Sequence, residues 1–256
     1  MAKSGTALRG GRSTKVATAA RKGAAAIQAP KRGAPALTHE RIVAAALALV
    51  DADGLAGLTT RRLGSALGVQ AMSIYHHFPS KQHLLGALVD HALAAIRLPP
   101  AGPEPVERLR RLAYAWRAEA HRHPQLFPLL AVHRLNTPTG VRFIESVLGL
   151  VDALIPEREL AARYFRAFGF YLMGGVLDET NGYSKGPSAA EPATGAFIAE
   201  HCPRLVAAAP YFRPGEWDTT FALGLEALLA AMTLAGQRAG TPLPRPRVRP
   251  KVAATD

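Results

Sequence analysis

The chain has 256 residues, 48% of them hydrophobic, enough for one large domain or two modest ones with a real core. Its one cysteine, Cys202, excludes an intrachain disulfide framework and a cysteine-based metal site, and suits a reducing cytoplasm. The net charge of +12 is uneven: residues 1–36 hold eight Lys or Arg and no acid, residues 241–256 hold four and one Asp, and residues 37–240 hold 19 basic and 18 acidic side chains. The excess therefore sits in two tails that can attract a polyanion.

Residues 1–36 are drawn largely from Ala, Gly, Lys, Arg, Ser and Thr, with few large apolar groups to offset ordering entropy, so a disordered basic arm is expected. The arm lacks the compact apolar core of a secretory signal, and no apolar run approaches the length of a membrane span. We expect it to touch phosphates or a minor groove. Downstream, few β-branched runs occur and no segment sustains apolar–polar alternation, which argues for an all-α fold. Helix one follows Thr38, with Leu37 and Ile42 as a hydrophobic staple, Glu40 in the first turn, and Ile42, Ala46, Leu49 and Val50 as its buried stripe. Gly54 stops it.

The stretch Leu58–Lys81 then reads as two short helices around a tight turn. Thr59 caps a helix starting at Thr60, stapled by Leu58 and Leu63, and Gly68 supplies the backbone freedom for the turn. A second helix runs from about Gln70 to Phe78. Pro79 ends it, and Ser80 caps a fourth helix carrying Leu85, Leu88, Val89, Ala92 and Ile96. At 100° per residue, Ala71, Ile74 and Phe78 face inward while Met72, Ser73 and His76 face outward, flanked by Tyr75 and His77. A helix-turn-helix unit puts such a face in the DNA major groove and lays its first helix across the backbone.

By type and position, Gln70, Ala71, Met72, Ser73 and His76 are the candidates for base edges. Thr59, Thr60, Arg61, Tyr75, His77 and Lys81 are the candidates for phosphates, Lys81 placing a cation beside a helix N-terminus. For His77, packing is as good a reading as phosphate binding.

The run LTTRRLGSALGVQAMSIYHHFPSKQHLL resembles the DNA-binding domain of the TetR (tetracycline-repressor) family of bacterial transcriptional regulators. The carrying features are the LTxRxLxxxLGV core, the IYxHF end of the recognition helix and the following SKxxLL, over about residues 36–97. The resemblance implies the same placement of DNA contacts, a four-helix dimer interface from the last long helices, and an effector pocket that changes the separation of two DNA-reading heads. One departure is the lack of Arg or Asn in the base-reading face.

Beyond PPAGPE at 99–104 the pattern stays helical: 105–122, 124–134 after Pro124, 138–154, 157–179, a weaker 195–208, and 216–237. Residues 181–195 read as a loop, and the tail TPLPRPRVRPK as extended and basic. Helices 157–179 and 216–237 are each more apolar than one neighbour can cover, which makes them the homodimer candidates. The segment 157–179 is apolar on nearly every side and reads as a central buried helix. Candidates for a ligand pocket are Tyr114, Trp116, His121, His133, Asn136, Tyr164, Phe168 and Tyr171. His121 and His123, two apart on a helix, cannot chelate one metal, and Asp178–Glu179 reads as a solvated helix end.

The organisation expected is an arm (1–36), a three-helix DNA-binding domain (37–97, motif about 59–78), a fourth helix linking it to a helical ligand-binding and dimerisation domain (103–237), and a basic tail (238–256). With no nucleophile, phosphate loop or metal-ligand set, the chain reads as a cytoplasmic, dimeric regulator that uses no cofactor and no catalysis. As partners it takes operator DNA and a small molecule, and no membrane. Two competing readings are a helical-bundle enzyme or metal binder, and a sequence-independent DNA binder working through its tails.

Overall fold

Thr38 opens the first helix as its sequence position demands. Its Oγ1 accepts the Arg41 N–H at 3.2 Å, and α1 runs His39–Gly57 with Ile42, Val43, Ala46, Leu47 and Val50 buried. Gly54, at φ 69°, breaks its regular course. The computed structural model describes residues 36–98, 100, 102, 104–133, 137–181 and 191–238, and the side chains of 131–133 and 181 are not among those described. The basic arm and tail inferred from the sequence lie outside the described residues, as does most of the loop at 181–195.

Three short helices follow: α2 (Thr60–Leu67), α3 (Ala71–His77) and α4 (Lys81–Ala95), with Thr59 capping α2 and Ser80 capping α4. Leu58, Leu63, Ile74, Phe78 and Leu88 close a small core against α1. The body holds α5 (Pro105–Arg122), α6 (Phe127–His133), α7 (Pro138–Leu154), α8 (Arg158–Asn181), α9 (Gly195–His201), α10 (Pro203–Ala208), two short 3₁₀ turns at Ala209–Phe212 and Pro214–Glu216, and α11 (Trp217–Gln237). Every regular element among the described residues is helical.

α7 packs on α5 and α8, and α11 packs on α8 and α5. α4 packs against α1 and also against α6 and α7, so one helix touches both the N-terminal helices and the body.

Four expectations are corrected. α6 begins at Phe127 rather than after Pro124, because the N–H groups of Leu126 and Phe127 turn back to the His123 carbonyl. The helix expected at 195–208 is two, since Pro203 has no N–H to continue α9 and instead starts α10. α8 buries one side only: Phe168, Leu172 and Val176 are inside, while Arg163, Arg166 and Phe170 are exposed. Finally, 214–237 is long and apolar enough to cross a bilayer, a property that the core helix of a soluble protein also has. Only Asp218 and Glu226 interrupt α11 with charge, and its inner face packs Phe221, Leu225, Leu229 and Met232 into the body.

Candidate nucleic-acid interface and ligand cleft

The α2–α3 turn is fixed by two glycines. Gly68 sits at φ 69°, the left-handed region, and the Val69 N–H donates to the Gly64 carbonyl at 2.9 Å. Gly64 is buried where the chain crosses itself: a Cβ there would stand 2.8 Å from the Val69 carbonyl oxygen and 3.4 Å from the Ala71 nitrogen. This close approach sets α3 across α2, and the helical pattern of the motif carries no signal for it.

On α3, Ile74 and Phe78 are buried beneath, and Met72 (66% exposed), Tyr75 and His76 stand outside. Gln70 is also exposed, and Ala71 and Ser73 are half-buried at the edges. Thr59, Thr60, Tyr75 and Lys81 line one cleft with Ser80, where the N-termini of α2 and α4 meet the side of α3. Four of the six phosphate candidates thus share a single concave surface. Arg61 is exposed beside it. His77 is half-buried and tied to α1: its carbonyl accepts the His39 imidazole N–H at 3.1 Å, and the two rings meet edge-on at 5.1 Å. His39 also packs edge-on against Phe78.

Arg62, next to the candidate Arg61, turns the other way. It pairs with Asp53 and donates to the Gly57 carbonyl at 3.2 Å, locking α2 to the end of α1. A second tie reaches the body. The His123 imidazole donates to Asp51 of α1 at 2.9 Å and lies 3.7 Å from buried Glu119, which also pairs with Arg122. Short-range patterns carry no signal for this contact, because its partners are 72 residues apart.

In the body, polar groups gather between α5, α8 and α11. Arg117 donates from Nε to Glu179 at 2.7 Å and from Nη1 to Asp218 at 2.7 Å, and its guanidinium lies 4.8 Å over the Phe221 ring. Burial alone would lower the Arg117 pKa, but its pairing with Glu179 and Asp218 outweighs this and raises it. The His121 imidazole donates to Glu179 at 2.7 Å, so His121 and His123 have different partners, as their spacing requires. Glu179 is buried by this pairing, which corrects its reading as a solvated helix end; Asp178 is exposed. The Tyr171 hydroxyl donates to the Phe221 carbonyl, and burial pushes its pKa up. Arg110 binds Glu226 across to α11 and holds that carboxyl below the usual range.

A cleft of about 70 Å³ opens between α5, α7 and α8. Of the pocket candidates, Trp116 and Phe168 line it. Tyr114 and Tyr171 lie against Phe221 instead, His121 lies near Trp217, and Tyr164 is half-buried against the core. Asn136 and the His133 side chain lie outside the described residues. Phe143, Val147, Phe165 and Met173, not singled out from the sequence as pocket candidates, complete much of the wall.

Comparison with known proteins adds three findings. Residues 42–88 match the model of the tetR family of bacterial regulatory proteins, and residues 99–234 match the tetracyclin repressor-like C-terminal domain. The chain is 33% identical to the HTH-type transcriptional repressor DrrR1 of Streptomyces coeruleorubidus over 158 residues, 59% of this chain and 57% of that protein, so the match spans little more than half of its length. It is 29% identical to an HTH-type transcriptional regulator of Saccharopolyspora erythraea over 78% of this chain and 86% of that one. Among solved structures, the Streptomyces coelicolor TetR family protein ActR in complex with actinorhodin superposes with a TM-score of 0.62 at 26% identity, covering 79% of this chain and all of that one.

Proposed function

The chain belongs to the TetR family of bacterial regulatory proteins, DNA-binding transcriptional regulators, and on that footing we propose that it is a cytoplasmic, homodimeric repressor released from a palindromic operator by a small molecule. The observation that carries this reading is α3. Two buried side chains anchor it, and a face of soft and hydrogen-bonding groups is left to solvent. Such a face fits the major groove, where Gln70 bonds adenine, Met72 and Ala71 pack on thymine methyls, and Ser73 and His76 take other base edges. Thr59, Thr60, Arg61, Tyr75, His77 and Lys81 hold the phosphates alongside, and the basic arm adds contacts without sequence preference.

One head touches too few phosphates for tight binding, so two copies join through α8 and α11 to read half-sites about 34–36 Å apart. ActR, whose structure holds actinorhodin, supports an effector site in the body of this chain as well. Ligand in the α5–α7–α8 cleft favours a dimer whose heads no longer match that spacing, and α4, in contact with both α1 and α7, carries the change. Selection of bound duplexes from random DNA tests the reading. A two-fold symmetric motif bound by a dimer is expected. A monomer in sedimentation with and without DNA rejects the dimer. Binding that vanishes when both tails are removed, yet ignores Tyr75→Ala and His76→Ala, rejects sequence reading by α3.

A further inference from the structure

The helix α3 has 7 residues, too few to hold its shape without tertiary support. Its two ends are supported differently. At the N-terminal end Gln70 provides no side-chain cap, but the Val69 N–H donates to the Gly64 carbonyl at 2.9 Å, and the close crossing at Gly64 fixes that end against α2. Ile74 and Phe78 hold the helix from beneath. At the C-terminal end, the last carbonyls of a helix have no partner within it. One of these, on His77, is taken by His39, the first residue of α1, whose Nε2–H donates to it at 3.1 Å. The same imidazole stands edge-on to the His77 ring at 5.1 Å and to the Phe78 ring at 4.9 Å. One exposed side chain thus holds the last residue of α3 and the residue after it.

A short helix fixed at one end by its turn pivots about that end when the tie at the other is removed. The displacement is largest where His76 faces outward and smallest near Met72. Reading a base edge by hydrogen bonds needs donors and acceptors held to within about 0.5 Å, whereas packing on a thymine methyl tolerates more. The tie therefore matters most at the end of α3 that reads by hydrogen bonding.

Resting on the operator reading above, we propose that His39 is a positioning residue for sequence recognition. Its bond to the His77 carbonyl sets the tilt of α3, so His39 governs selectivity at the base pair beside His76 without touching DNA.

The test uses the full chain and single-base-pair variants of the duplex selected from random DNA, titrated at about pH 8 over a series of salt concentrations. Three substitutions separate what the imidazole does. His39→Phe keeps a ring against Phe78 and loses the donor. His39→Gln keeps an N–H donor the same number of bonds from Cβ as Nε2, and His39→Asn brings it one bond short. His39→Phe and His39→Asn are expected to lose about tenfold in discrimination at the position that His76→Ala also relaxes. Both should keep discrimination at the position assigned to Met72 and keep the native salt slope, and His39→Gln should recover most of the loss. Unchanged discrimination in His39→Phe overturns the proposal. A salt slope reduced by about one per head overturns it too, because that marks a direct phosphate contact. Failure of His39→Gln to recover what His39→Phe loses also overturns it, because ring packing alone then explains the effect. Should His39→Phe fail to fold by circular dichroism, the contrast between His39→Gln and His39→Asn decides. If Met72→Ala relaxes its own position while the His39 series changes nothing, the positioning role alone falls. If the native chain selects no motif, the operator reading falls and this role with it.

Discussion

The reading head and the α11 side of the body present opposite chemistry to solvent. On α3 the carbon goes inward, as Ile74 and Phe78, and the polar and polarisable groups stay out. Around α11 the charges of Arg117 and Glu179 are drawn into the seam between helices, while Leu223 (74% exposed) and Leu234 (45%) are left on the surface with Ala227 and Ala230 between them. A face of donors, acceptors and a thioether can discriminate base edges, but a face of small and branched apolar groups gains only from covering by another apolar surface. The two faces therefore suit different partners: DNA for the first and, in the account proposed, a second copy for the other.

Substitutions break this contrast in graded steps. Glu179→Ala strands Arg117, whose remaining partner Asp218 is almost fully exposed, and is expected to cost about 3 kcal/mol in urea unfolding, because the charge left behind is largely buried. Gly64→Ala forces a Cβ onto the Val69 carbonyl and is expected to cost about 2–3 kcal/mol, read as loss of DNA binding with the body still helical by circular dichroism. Met72→Ala in the head should cost about 1–2 kcal/mol of binding to the selected site and relax its preference at one base pair in each half. On the other face, Leu223→Glu with Leu234→Glu should leave the unfolding midpoint nearly unchanged while shifting sedimentation toward monomer, since exposed positions contribute little to the fold of one copy.

Acid titration gives the smallest signal. The Glu226 pKa is lowered by Arg110, so the unfolded chain binds more protons between the folded value and the ordinary 4.5. The stability this pair adds is present above that window and lost as pH falls through the folded value. Glu226→Gln should flatten that acid limb slightly, the pair being half exposed.

The same contrast explains what the chain made legible before its fold was known. The head is written in short-range chemistry: Thr38, Thr59 and Ser80 each accept the N–H three residues on, and Gly68 turns the chain where a left-handed residue is required. Caps and turns act within a few residues, so they can be read in order along a sequence. The body depends on pairs far apart in the chain, such as Arg117 with Glu179, Arg110 with Glu226 and His123 with Asp51. A helical wheel marks Glu179 as a polar residue at a helix end and cannot say that two hydrogen-bond donors on α5, Arg117 and His121, await it. For the same reason the sequence marks Trp116 and Phe168 as pocket candidates but not Phe143 and Met173, although all four line the cleft. Which apolar stripe lines a cleft and which fills the core depends on how α5, α7 and α8 meet.

The most direct test of the α3 assignment measures affinity for single-base-pair variants of the selected site across a series of salt concentrations, for the native chain, Met72→Ala and Lys81→Ala. Met72→Ala should lose discrimination at one position per half-site with its salt slope unchanged. Lys81→Ala should bind every variant more weakly by a similar factor, with the slope reduced by about one per head. A discrimination pattern in Met72→Ala identical to that of the native chain would contradict the claim that this face of α3 reads the bases.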